Sequence, residues 1–84
     1  MKKLTATCLF KEGIHARPAS ELVKLCQPSK SEIIIRKDSS EGNPKSILSL
    51  MSLGISYNDV LTIEISGDDE STVASSIESF FKQK

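Results

Sequence analysis

Leu4, Ala6, Cys8 and Phe10 alternate with Thr5, Thr7 and Leu9, the period of a half-buried strand. Ala19, Leu22, Val23 and Cys26 then fall at i, i+3, i+4 and i+7, one face of a helix that must stop before Pro28. Ile33, Ile34 and Ile35 form a β-branched run that predicts a second strand. Asp38 to Pro44 is turn chemistry, with room for at most a very short strand near 40–43. Ser46 can N-cap a short helix carrying Ile47, Leu48, Leu50 and Met51, closed by Gly54. Asn58-Asp59 turns the chain into Leu61, Ile63 and Ile65, alternating with Val60, Thr62 and Glu64. Asp68 or Asp69 is expected to cap a last helix whose apolar face is Val73, Ile77, Phe80 and Phe81. The predicted order is β-α-β-(β)-α-β-α, with no repeat and no linker. Each helix has one apolar side, so the economical arrangement is α+β, an antiparallel sheet with helices on one face.

Eighty-four residues hold one modest core, so residues 1–84 are read as a single domain. Charged residues are 26% and hydrophobic residues 38%, a globular balance. The formal net charge is zero, which argues against a general nucleic-acid binder, since such proteins carry a basic excess against phosphates. A small α/β nucleic-acid-binding module is kept as a remote alternative. It would need stacking aromatics on a basic stripe, whereas three of the four aromatics here occupy core-pattern positions. No apolar run approaches the roughly 20 residues of a membrane span. Thr5 and Thr7 interrupt the N-terminus before any signal-peptide core can form, so a cytoplasmic location is expected, with no membrane insertion. Two cysteines and one histidine cannot build a disulfide framework or a zinc site; no metal and no cofactor are expected.

The chemistry concentrates in Gly13-Ile14-His15-Ala16-Arg17-Pro18-Ala19. It places the only histidine between a strand-to-helix loop and the first helix. Pro18 suits a first-turn position, where its missing N–H costs nothing. The backbone N–H groups of Ala16 and Arg17 would then start the helix, at a terminus worth about half a positive charge and ready for an anion. Arg17 adds a planar donor fork suited to phosphoryl oxygens. Together these describe a histidine able to take a phosphoryl group onto a ring nitrogen. On residue chemistry alone, a lone loop histidine is more often just a solvated surface residue. The short second helix carries apolar residues at 47, 48, 50, 51 and 53, more than a one-sided helix buries. If Leu50 and Leu53 serve the core, Ile47, Leu48 and Met51 face outwards as a docking surface; the alternative is that all five are core.

The His15 segment, read with Asn43-Pro44-Lys45-Ser46-Ile47-Leu48-Ser49-Leu50-Met51-Ser52-Leu53-Gly54, resembles the HPr family, the histidine-containing phosphocarriers of the bacterial sugar phosphotransferase system. The likeness covers essentially the whole chain. It implies a βαββαβα open-faced β-sandwich, a four-stranded antiparallel sheet with three helices on one face. It also implies a phosphocarrier that is not itself an enzyme. The histidine matching His15 would accept a phosphoryl group on Nδ1 from phosphorylated enzyme I and pass it to enzyme IIA domains of sugar permeases. The arginine matching Arg17 would steady that group, with Ala16 and Arg17 N–H groups behind it, and a monomer would shuttle between partners. Ser46 matches a serine modified by HPr kinase/phosphorylase, and it can equally be an N-cap alone. The nearest alternative is a mainly regulatory HPr, acting through Ser46 on that kinase and a catabolite-control transcription regulator. Three features depart from the common pattern. Glu12 stands where relatives often have a donor, and its carboxylate would disfavour the phosphorylated state. Pro44 is expected to cost a nearby strand one ladder donor, and Cys26 sits on the core face of the first helix.

Overall fold

The computed structural model describes residues 1–82. The last two residues of the expected domain lie outside the described ones. In chain order the elements are β1 (Lys2–Thr7), α1 (Ala16–Cys26), β2 (Glu32–Lys37), β3 (Ser40–Gly42), α2 (Ile47–Met51), β4 (Val60–Ser66) and α3 (Glu70–Phe81). The strands pair antiparallel in the order β1-β4-β2-β3. Register explains which face is dry. Leu4 pairs with Ile63, and Ile63 with Ile35, so one row of the sheet is apolar across three strands. Ile33, Ile35, Leu61, Ile63 and Ile65 join Leu22, Cys26, Ile77 and Phe80 in a single core. The opposite face is charged: Lys3 pairs with Glu64, Glu64 with Arg36, and Arg36 with Glu41. The helices therefore cover one face only, as the α+β open-faced arrangement requires. No helix among the described residues is long and apolar enough to cross a membrane.

Several local signals act as the sequence predicts. Helix α1 ends at Cys26, and the N–H of its C-cap Gln27 bonds the carbonyl of Val23 at 2.8 Å before Pro28 stops the helix. Helix α2 has five residues, too few to persist alone in water. Its N-terminus is capped by Ser46 Oγ, which accepts from the Ser49 N–H at 3.2 Å, and its fully buried Leu50 anchors it.

Three details differ from expectation. Strand β1 ends at Thr7, and Phe10 leaves the sheet to pack against Phe80, the rings tilted by 43° with centroids 5.3 Å apart. Pro44 lies beyond β3, which stops at Gly42, so no ladder donor is lost to it. Asp69 occupies the N-cap position of α3 but does not cap that helix with its side chain. Its carboxylate instead accepts from the Ser29 hydroxyl at 2.9 Å, from the Ser31 hydroxyl, and from the Lys30 N–H at 3.3 Å. Ser29 and Ser31 are buried, so their hydroxyls need acceptors inside the protein, and that demand outweighs local capping.

This arrangement gives stability a definite pH dependence. The Ser31 hydroxyl, followed by Ser29 and the Lys30 N–H, holds the Asp69 carboxyl below the ordinary aspartate range. A carboxyl lowered on folding stabilises the protein above its unfolded pKa of about 4, and that contribution is lost as pH falls through the lower folded value. Thermal melts should be level above about pH 5 and fall below about pH 4. Asp69→Asn should melt earlier at neutral pH and lose less on acidification; parallel melting curves would contradict the assignment.

Candidate functional site

The loop carrying His15 is fastened at both ends to one neighbouring segment. At its start, the Cys8 N–H donates to the Asp59 carbonyl at 2.9 Å, and the Cys8 carbonyl accepts from the Asn58 N–H at 2.8 Å. At its end, the Ile14 N–H bonds the Ile55 carbonyl at 3.0 Å, and the Ile14 side chain is buried. Between them the chain turns tightly, with the Gly13 N–H on the Phe10 carbonyl at 2.9 Å. Gly13 has φ +78°, and a Cβ there would stand 2.3 Å from the Ile55 oxygen. Only glycine allows the backbone to approach Ile55 this closely.

His15 is the N-cap residue of α1, in extended conformation at φ −100° and ψ −164°. Its carbonyl accepts from the Ala19 N–H at 2.8 Å, the first turn of the helix. Its exposed imidazole makes no capping bond, which leaves the ring available to solvent. Among the described residues no acceptor caps the N–H groups of Ala16 or Arg17, and Pro18 has none to satisfy. The first turn of α1 contains no acidic residue. His15 and Arg17 line one open depression of about 620 Å³, together with Phe10, Lys11, Glu12 and Pro18. Glu12 thus shares the rim with His15 and Arg17, next in sequence to the ammonium-bearing Lys11.

Helix α2 packs beside α1. Leu50 and Leu53 are buried, whereas Ile47 is 43%, Leu48 79% and Met51 41% exposed. The chain leaving α2 runs directly into Gly54 and Ile55, and Ile55 supports Gly13 and Ile14. Ser46 is exposed, with its N–H on the Asn43 carbonyl at 3.0 Å. The approach to Ser46 is held by Lys45, whose ammonium donates to the carbonyls of Ser29 and Ser31 at 2.8 and 2.7 Å. The two thiols take no part in this surface. Both are buried, and burial pushes the Cys26 thiol up to about 12, against the opposing influence of Lys45. Two contributors are invisible in the hydrophobic pattern: Lys45, and Lys37, whose ammonium reaches the Gly54 carbonyl at 2.7 Å.

Comparison with known proteins identifies the family of the chain. Residues 2–83 match the family model described as the PTS HPr component phosphorylation site. The chain is 46% identical to the phosphocarrier protein HPr of Mycoplasma genitalium, over 92% of this chain and 89% of that protein. It is similar in structure to a mycoplasma histidine-containing phosphocarrier protein, with a TM-score of 0.90 and 34% identity over 94% of this chain and 90% of that one. HPr from Thermoanaerobacter tengcongensis gives a TM-score of 0.89 at 38% identity, covering 100% and 99% of the two chains. A helix N-terminus with free N–H groups, an exposed histidine and a nearby arginine is thus set in a fold shared almost throughout its length with these carriers. The chain belongs to the HPr family, the phosphocarriers that relay phosphoryl groups in the phosphotransferase system.

Proposed function

We propose that His15 is the residue that carries the phosphoryl group, receiving it from phosphorylated enzyme I and giving it to enzyme IIA domains. The observation that supports this most is the exposed imidazole at the start of α1, beside the uncapped N–H groups of Ala16 and Arg17. In the first transfer an imidazole nitrogen, Nδ1 by family resemblance, attacks phosphorus and the N–P bond forms. The bond from phosphorus to the donor breaks, and its electron pair stays with the donor. In the second transfer the histidine is the leaving group. Negative charge on the phosphoryl oxygens faces the helix N-terminus and the Arg17 guanidinium throughout, so the group is held without being trapped. A labelled carrier should lose its label on addition of an IIA domain, with the label appearing in that domain. Label that stays on the carrier would contradict a relay.

The partners dock on the face formed by Ile47, Leu48 and Met51, exposed apolar side chains beside α1. Because one face serves both, the carrier visits donor and acceptor in turn. Ile47→Ala and Met51→Ala should each weaken binding to enzyme I by roughly 1 kcal/mol or more. Their melting temperatures should stay close to the parent's, since neither side chain is in the core. Normal affinity with a large stability loss would return them to the core.

Ser46 is the regulatory position, modified by an HPr kinase/phosphorylase. A phosphate on its exposed hydroxyl adds about two negative charges beside Ile47 and is tolerated by the helix start. Ser46→Asp should therefore keep the fold and slow phosphorylation of His15 by enzyme I. Equal rates for variant and parent would remove the electrostatic argument.

A further inference from the structure

We propose that Lys37 and Asp59 are positioning residues for His15: their ion pair clamps the 54–59 loop to the end of β2, and that loop fixes the backbone that aims the imidazole. The proposal rests on the reading of His15 as the phosphoryl acceptor. Four contacts make up the clamp. Lys37 Nζ lies 3.0 Å from Asp59 Oδ2 and donates to the Gly54 carbonyl at 2.7 Å. The same Asp59 Oδ2 accepts from the Ser56 N–H at 2.7 Å, and the Asp59 N–H bonds the Ser56 carbonyl at 3.0 Å. One ammonium and one carboxylate thus hold both ends of a loop that has no helix or strand of its own.

That loop is the floor of the His15 segment. Ile55, between the two clamped residues Gly54 and Ser56, gives its carbonyl to the Ile14 N–H at 3.0 Å and abuts Gly13. The Asp59 carbonyl and Asn58 N–H hold Cys8, where the segment begins. A shift of the 54–59 loop is therefore passed directly to Ile14, the residue before His15. Lys37 also joins this floor to α2, because the Gly54 N–H bonds the Met51 carbonyl at 3.2 Å while its own carbonyl receives the ammonium. The Asp59 carboxyl is held below the usual aspartate range, first by the Ser56 N–H and then by Lys37. Both side chains are about three-quarters covered, at 23% and 28% exposure, which shields the pair from the screening that weakens open surface pairs.

Lys37→Met keeps the apolar stem and removes the ammonium, whereas Lys37→Arg retains a cation able to donate to both the carbonyl and the carboxylate. Two measurements are made on each full-length protein. One is amide exchange of Ile14 relative to the amides of β4, recorded without any partner. The other is the steady-state kinetics of phosphorylation by enzyme I. In Lys37→Met the Ile14 amide should exchange roughly 3- to 10-fold faster relative to β4, and kcat should fall by a similar factor. Lys37→Arg should recover most of both. Unchanged relative exchange at Ile14 in Lys37→Met would overturn the proposal, whatever happens to melting temperature. So would a rise in KM alone, which would make Lys37 a direct docking contact. Failure of the parent protein to take a phosphoryl group at His15 would overturn the functional reading itself, and the proposal with it.

Discussion

Gly13→Ala should lower stability by roughly 2–4 kcal/mol, a melting-temperature loss on the order of 10–20 °C for a domain of this size, and should slow phosphorylation of whatever remains folded. Two effects add. The residue has φ +78°, where a side chain costs about 1 kcal/mol or more. The new Cβ would also meet the Ile55 oxygen at 2.3 Å, the Ser56 Cα at 3.2 Å and the Ile55 carbonyl carbon at 3.3 Å. All three are backbone atoms, and Ile55 is itself bonded to Ile14, so relief requires moving the floor beneath His15. Gly54 provides the control. It has φ +62°, and a methyl group added there would find nothing within 4 Å, so Gly54→Ala should cost only the backbone part, about 1 kcal/mol. Thermal denaturation of the two variants separates the effects; equal losses would mean that Ile55 yields freely.

Arg17→Ala should fold normally and transfer phosphoryl groups slowly. The side chain is exposed at the second residue of α1, so its removal leaves the core untouched. A charge-assisted contact to phosphoryl oxygens is worth roughly 1.5–3 kcal/mol, or about 10- to 100-fold in rate if realised fully in the transition state. The backbone N–H groups of Ala16 and residue 17 remain in the variant, so transfer should be slowed and not abolished. Single-turnover rates with enzyme I and with an IIA domain measure this directly. Unchanged rates with both partners would make Arg17 a bystander.

Most of the fold was legible because its signals are local. The isoleucine run at 33–35, the i, i+3, i+4, i+7 spacing from Ala19 to Cys26, and Ser46 before a short apolar stretch each specify an element without reference to distant residues. The same holds for the place of His15, since Gly13 and Pro18 bracket a helix start. What escaped the sequence depends on tertiary placement. Asp69 looks like an N-cap, yet two buried serines some 40 positions away claim its carboxylate. Phe10 continues the alternation of β1, yet it leaves the sheet and packs on the ring of Phe80. Lys37 and Lys45 stand out in no local pattern, because the carbonyls and carboxylate that engage them come from other elements, and Asp59 reads only as a turn residue although Lys37 reaches it from β2. Periodicity reports which face a residue occupies; it carries no information on which loop a long side chain will reach.

The central claim is that one imidazole, that of His15, carries the transferable group. Incubation of the protein with enzyme I and phosphoenolpyruvate, followed by intact-mass measurement before and after brief acid treatment, tests it most directly. The expected result is a single added phosphoryl group, lost in acid as an N–P bond to imidazole must be, and absent from a folded His15→Ala variant. An acid-stable adduct, or full labelling of His15→Ala, would contradict it.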